Sequence, residues 1–85
     1  MHDLLAAQDI LKNCLRYAKK NKLKSISKIV VDLGKAPVHH DEIIKPKNLK
    51  FLLNLIAQNT ILEKAKIEIY PVDGSKIQLK SIEGK

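Results

Sequence analysis

Apolar residues recur every three or four positions in two stretches of the chain, and this spacing predicts two amphipathic helices. The first helix should follow Asp3, a good N-cap residue, and end near Lys20. Its buried stripe comprises Leu4, Ala7, Ile10, Leu11, Cys14, Leu15 and Ala18. The second helix should begin at Pro46, and Asn59 suits the left-handed residue that closes it. Its core stripe comprises Leu49, Leu52, Leu53 and Ile56.

The apolar stripe of the second helix is wider than a core needs. Phe51 and Leu55 extend it to one side. Two interpretations are open: these side chains are simply buried, or part of the stripe faces a partner. We expect simple burial.

Alternation of apolar and polar residues predicts three strands. The first covers residues 25–34, with Ile29, Val31 and Leu33 on one face and Gly34 at its end. The second covers residues 65–70, and the third begins at residue 77. The chain therefore has the order helix, strand, helix, strand, strand.

A short link joins the last two strands, and its length bears on how they pair. If Val72, Asp73 and Gly74 form a three-residue loop with Gly74 left-handed, Ile69 lies opposite Ile77 in a hairpin. This register keeps one apolar face, whereas a two-residue Asp-Gly turn would place apolar residues opposite polar ones. We therefore expect the three-residue loop.

These elements predict a single domain, residues 1–85, in the α+β class. Two helices on one face of a three-stranded sheet form a two-layer sandwich. The third strand fits the pattern either at an edge of the sheet or between the other two. The single cysteine and the lack of a signal peptide or a long apolar run indicate a cytoplasmic protein without a membrane span.

The net charge of +7 favours acidic partners. One hypothesis is therefore a small basic binding module without metal, which docks on an acidic protein or nucleic acid. Nucleic acid is the weaker option because no aromatic residues interleave with the lysines. The lysines that would form the binding surface are Lys19, Lys20, Lys22, Lys24, Lys45, Lys47 and Lys50.

The first three residues place nitrogen donors close together. A free amine at Met1, the imidazole of His2 and the backbone amides of His2 and Asp3 suit a tetragonal ion such as Ni(II) or Cu(II). A second group of imidazoles, His39 and His40, lies in the loop before the second helix. By contrast, no nucleophile–base arrangement or phosphate-binding loop is present, so we expect no enzyme.

Chain geometry brings these segments together. The first helix rises about 25 Å, and the strand that follows must return about that far. Gly34 should therefore end near the level of Met1, with the His39–His40 loop beside the amino terminus. The Asp73–Gly74 turn should lie at the same end.

Several stretches resemble the HypA/HybF family of hydrogenase nickel-incorporation proteins. The opening Met-His-Asp-Leu is similar to the Met-His-Glu-Leu with which that family typically begins. The likeness is strongest at residues 60–69, Thr-Ile-Leu-Glu-Lys-Ala-Lys-Ile-Glu-Ile. Other similar stretches, in colinear order, are residues 26–34, 46–51 and 77–82.

The resemblance implies a nickel-binding, metallochaperone-like protein for [NiFe]-hydrogenase maturation. It implies a metal site at Met1, His2 and Asp3, whose amides bind only when deprotonated and therefore bind better as pH rises. It also implies a HypB-type GTPase and a hydrogenase large subunit as partners. We add the hypothesis that His39 or His40 supplies a further ligand to this metal.

Two departures from the family pattern change this picture. The family inserts a zinc ribbon with two Cys-x-x-Cys pairs between its last two strands, whereas this sequence has only Cys14. We therefore expect a HypA-like domain without a zinc domain and without structural zinc. The loop from Gly34 to Pro46 is longer than the family's connection, and the additional residues include His39 and His40.

Overall fold

The computed structural model describes residues 2–36 and 43–85, with His2 included through its backbone alone. Its five elements are α1 (His2–Lys20), β1 (Ile26–Gly34), α2 (Pro46–Ile56), β2 (Lys66–Val72) and β3 (Ile77–Gly84). The predicted order and the α+β class are confirmed. Strands β2 and β3 continue beyond the ends that alternation alone predicted.

The sheet has the strand order β2-β1-β3, with β1 parallel to β2 and antiparallel to β3. The predicted hairpin between β2 and β3 is therefore wrong. Ile69 pairs with Val31 on one side of β1, and Ile77 pairs with Leu33 on the other. The reason is that α2 forms the crossover between β1 and β2, which makes these two strands parallel neighbours. The link after β2 then passes over the end of β1 and brings β3 to its other side. Strand β3 takes an edge.

The core lies between the sheet and the two helices. From β1, the side chains of Ile29 and Val31 are fully buried, and from α2 those of Leu49 and Leu53 are too. On α1, the buried residues are Ala7, Ile10, Cys14 and Ala18. Both helices are amphipathic, and over the described residues neither is long and apolar enough to cross a bilayer.

The expectation that Phe51 and Leu55 are buried is wrong. Phe51 is 63% exposed and Leu55 50% exposed. Both lie on α2 away from Leu49 and Leu53, the two residues of that helix that are buried. A helix in a two-layer fold covers its core with one side, so the additional width of this stripe is left at the surface.

The left-handed backbone predicted at two positions is confirmed. Asn59 has φ 67° and follows α2, and Gly74 has φ 96° in the link between β2 and β3. Lys22, just after α1, also has a positive φ of 57°, which the sequence did not indicate. Gly and Asn adopt this region at low cost, which explains why only the lysine was missed.

Candidate metal centre

The start of α1 is attached to the start of α2 by one hydrogen bond. The side-chain amide of Asn48 donates to the Asp3 carboxylate through Nδ2 and Oδ2, at 2.5 Å. The prediction that Asp3 is the N-cap of α1 is wrong. The helix already begins at His2, so Asp3 lies in its first turn. A carboxylate there suits the positive end of the helix dipole and remains free to accept from Asn48.

A cleft of about 650 Å³ opens beside this hydrogen bond. Its walls combine polar and apolar side chains from the starts of both helices and the segment before α2: Asp3, Ile43, Lys45, Lys47, Asn48 and Phe51. Ile43 and Lys45 also line a smaller cavity, of about 130 Å³, together with Leu33, Gly34 and Pro71. The beginnings of α1 and α2 thus lie at the same end of the molecule as the ends of β1 and β2.

The link between β2 and β3 lies at this end as well. The Ala36 N–H donates to the Gly74 carbonyl at 2.9 Å, and the Gly34 N–H donates to the Lys76 carbonyl at 2.9 Å. The predicted approach of the Asp73–Gly74 turn to the end of β1 is therefore confirmed. The segment that leaves β1 toward α2 starts from this contact.

The predicted metal ligands are only partly within the described residues. Met1, His39 and His40 lie outside them, and His2 is described as the first helical residue through its backbone. Asp3 is placed, at the rim of the cleft. In the portion of the chain that the structure describes, no three His, Cys, Asp or Glu side chains are grouped closely enough to hold a metal ion.

The cleft residues Asn48, Ile43 and Phe51 were not identified from the sequence as part of the site. No sequence signal links Asn48 to Asp3, because the two are 45 positions apart and joined only by tertiary packing. The width of the α2 stripe was the one available signal for Phe51. That width is compatible with a surface role, although we expected burial.

Cys14 does not belong to this site. The residue is fully buried in the core, and burial raises the pKa of its thiol to about 11. The thiol therefore stays protonated at neutral pH, whereas metal binding and nucleophilic attack require the thiolate. The predicted place of Cys14 in the buried stripe of α1 is confirmed.

An ionic network lies on the face of the sheet that the helices do not cover. The Tyr70 hydroxyl donates to Glu68 at 2.7 Å, and the ammonium groups of Lys66 and Lys28 lie 3.3 Å and 3.5 Å from its carboxylate. The Tyr70 hydrogen bond, followed by the two lysines, lowers the pKa of Glu68. The same bond raises the pKa of Tyr70.

This network predicts a pH dependence of stability. Because the folded-state pKa of Glu68 is below its ordinary value of 4.5, its stabilising contribution is present above that pH and is lost as pH falls through the lowered pKa. We expect Glu68→Gln to reduce the fall in Tm between neutral and acidic pH, measured by circular dichroism. Glu63→Gln, on the exposed turn before β2, is the matched control. An equal fall in Tm in wild type and Glu68→Gln would contradict the prediction.

Comparison with known families identifies the chain's relatives. The model of the HypA family, described as hydrogenase/urease nickel incorporation metallochaperone, matches residues 1–82. The hydrogenase maturation factor HypA of Methanobrevibacter smithii is 32% identical over 75 residues, which are 86% of this chain and 56% of the relative. That of Archaeoglobus fulgidus is 32% identical over 69 residues, 81% of this chain and 58% of the relative. The chain spans about half the length of these curated relatives.

The fold has a solved counterpart. The solution structure of the Ni metallochaperone HypA from Helicobacter pylori superposes with a TM-score of 0.80 and 13% sequence identity, over 96% of both chains. At that identity the likeness concerns the fold alone. It agrees with the two helices and the mixed three-stranded sheet described above.

Proposed function

Because this chain belongs to the HypA family of hydrogenase/urease nickel-incorporation metallochaperones, we propose that it binds Ni(II) as cargo through Met1, His2 and Asp3. The observation that carries the proposal is the family match, which covers residues 1–82 and so includes all three. The Met1 amine, the His2 imidazole and the backbone amides of His2 and Asp3 would supply nitrogen donors. Such donors suit tetragonal Ni(II).

The position of these residues at the start of α1 supports this donor set. The first four N–H groups of an α-helix have no carbonyl partner within the helix. His2 and Asp3 are the first two residues of α1, so their amides are not committed to intrahelical hydrogen bonds. These nitrogens can therefore bind a metal without the loss of a helical hydrogen bond.

The positive charge around the start of α1 favours a binding mode in which the backbone amides of His2 and Asp3 lose their protons. The positive end of the α1 dipole disfavours a bare cation, as do Lys45 and Lys47 in the cleft. Deprotonation of the two amides supplies the compensating negative charge, and the Asp3 carboxylate adds to it. Nickel affinity should therefore rise with pH. The hydrogen bond from Asn48 to Asp3 would fix the orientation of the first turn.

We also propose His39 or His40 as an additional ligand. Their loop connects the end of β1 with the segment before α2, and both of these attachment points lie at the end of the molecule that holds Asp3. An imidazole from this loop would complete the coordination of the ion from outside the chelate. Neither histidine is needed for the primary donor set.

The remaining features of the proposed role follow from the family and the sequence. We propose that the chain acts as a single HypA-like nickel-binding domain over residues 1–85, delivers nickel to a hydrogenase large subunit, cooperates with a HypB-type GTPase and is not an enzyme. Its relatives in Methanobrevibacter smithii and Archaeoglobus fulgidus are hydrogenase maturation factors, which supports this role. Its only cysteine is the buried Cys14, so we propose that it holds no structural zinc. That lone thiol still predicts a reducing, cytoplasmic environment.

Nickel titration calorimetry tests the proposed site. On protein whose first residue is Met1, we expect His2→Ala to weaken Ni(II) binding about 100-fold or more. Loss of a residue that only hydrogen-bonds to a metal ligand already lowers affinity about 10–100-fold, and loss of the ligand itself should lower it at least as much. A Gly-Ser extension before Met1 should also weaken binding, because it converts the amine to an amide. Gln8→Ala, on the exposed side of α1, is the matched control.

The same titration separates the ligands. Retained affinity in the His2→Ala variant would overturn the proposed donor set. A His39→Ala, His40→Ala double variant should change the visible absorption of the bound nickel and reduce affinity less than His2→Ala does. An unchanged spectrum and affinity would remove these two histidines from the site.

In the alternative of a metal-free basic module, the lysines form two separate groups. Lys19 and Lys20 end α1, whereas Lys47 and Lys50 lie on α2, whose start is attached to the start of α1 at Asp3. The two groups are therefore separated by most of the length of α1, about 25 Å at 1.5 Å per residue. A partner that used both groups would have to span this distance.

A further inference from the structure

Strand β2 has an exposed outer edge. It pairs with β1 on one side, and among the described residues no strand pairs with its other side. An edge strand presents unpaired backbone N–H and C=O groups, to which an extended segment of another chain can add. Pro71 lacks an N–H, so the edge that can donate regularly covers residues 66–70.

A groove of about 340 Å³ follows this edge between β2 and α2. Five successive residues of β2 line it, opposite three residues of the first two turns of α2. The lining residues are Lys66, Ile67, Glu68, Ile69 and Tyr70 from the strand, and Pro46, Lys47 and Lys50 from the helix. At about 3.3 Å per residue, the strand side of the groove accommodates an extended peptide of about five residues.

The groove has an excess of positive charge. Lys47 and Lys50 are exposed on α2, and the side chain of Lys66 is 72% exposed on the strand. The one carboxylate in the lining, Glu68, already accepts the Tyr70 hydroxyl and pairs with Lys66 and Lys28. Among the described residues no carboxylate forms an ion pair with Lys47 or Lys50, so both lysines can interact with acidic groups that enter the groove.

We propose that the outer edge of β2 binds an extended acidic segment of another protein as an added strand. Backbone hydrogen bonds to residues 66–70 would hold the segment, and every second side chain would lie beside Ile67 and Ile69, under α2. Carboxylates at those positions would meet Lys47 and Lys50. Strand addition at this edge does not require nickel, although Lys47 lines both the groove and the cleft beside Asp3.

Two features favour β2 over the other edge strand and over self-association. The pairing of β3 with β1 is irregular between Val30 and Val31, whereas the pairing of β2 with β1 runs without a shift. Bulges of this kind disfavour the addition of a further strand. A second copy of the chain carries the same net charge of +7 and the same lysines, so its approach to this groove is repelled.

A defined peptide tests the proposal. The probe is an acetylated, amidated heptapeptide of alternating threonine and glutamate, added to ¹⁵N-labelled full-length protein. We expect saturable amide shifts at residues 66–70 with a Kd of about 1 mM or tighter. The peptide with lysine in place of glutamate should give no saturable shift. Absence of saturable shifts with the glutamate peptide would overturn the proposal.

Backbone N-methylation distinguishes strand addition from simple charge attraction. In an added strand, only alternate N–H groups point toward β2. We therefore expect N-methylation of either the glutamate set or the threonine set to abolish binding, while methylation of the other set is tolerated. Equal binding of both methylated peptides would show that charge attraction alone is responsible, which contradicts strand addition.

Charge variants locate the acidic contacts. Lys47→Ala with Lys50→Ala should weaken the peptide about fivefold, the combined effect of two exposed ion pairs. Lys19→Ala with Lys20→Ala, at the far end of α1, removes the same charge and should leave the Kd unchanged. Equal weakening in both double variants would contradict the groove. Concentration-dependent shifts at residues 66–70 without peptide would assign the edge to a second copy instead, which also overturns the proposal.

Discussion

Replacement of Leu53 by alanine is expected to destabilise the protein by about 2–5 kcal/mol. Leu53 is fully buried on the core side of α2, so the truncation leaves a cavity among side chains of both layers. A domain of this size is expected to have a total stability of about 4–13 kcal/mol. The variant should therefore lose a large share of it, as urea unfolding with an unchanged m-value would show.

Phe51→Ala is the matched comparison on the same helix. This substitution removes a larger side chain than Leu53→Ala does, but Phe51 is 63% exposed and does not belong to the buried core. We expect its stability to stay within about 0.5 kcal/mol of wild type. A loss comparable with that of Leu53→Ala would mean that Phe51 is covered in solution.

Replacement of Gly34 by alanine is expected to cost about 2 kcal/mol or more, as overpacking against groups that cannot yield does. A β-carbon at position 34 would overlap the Gly74 carbonyl oxygen and lie 2.8 Å from the Gly74 carbonyl carbon and 2.9 Å from the Lys76 nitrogen. All three atoms belong to the backbone, so no side chain can rotate away. The end of β1 and the link between β2 and β3 must then separate.

The same change should also disturb the chain segment that leads from β1 toward the candidate metal centre. The Ala36 N–H donates to Gly74, so separation of the two segments breaks this hydrogen bond and shifts the start of the histidine-containing loop. Amide shifts at Ala36 and Gly74, with Tm by calorimetry, measure both effects. Gly74→Asn is the comparison variant: a β-carbon there meets nothing within 4 Å, so its cost is limited to the positive φ of 96°, about 1–2 kcal/mol. A Gly34→Ala variant as stable as wild type would contradict this reading of the contact.

The periodicity of the sequence was sufficient for the elements and the fold class. The starts of α2 at Pro46 and of β3 at Ile77 agree with the prediction, as does the left-handed Asn59. Alternation could not give the neighbours of each strand, because Ile69 presents the same face whether it pairs with Ile77 or with Val31. The more continuous apolar run of β1, with two adjacent valines, was a signal that this strand is central.

The candidate site was predictable in its chemistry and less so in its surroundings. The donors at Met1, His2 and Asp3 are visible in the sequence because they are adjacent, and they stay a prediction. The hydrogen bond of Asp3 to Asn48 depends on the packing of two helices, which no local pattern encodes. The exposure of Phe51 depends on whether anything covers α2, and a helical stripe shows only which residues share a side.

The central place of β1 in the sheet affects the order in which the protein can fold. Both strands that pair with β1 are synthesised later, as residues 66–72 and 77–84. The backbone hydrogen bonds on either side of β1 therefore cannot form while the chain is still short. Pairings between such distant segments slow folding, and an unpaired apolar strand promotes aggregation in the meantime. Nascent chains that stall before residue 77 would expose one side of β1 and become targets for chaperones.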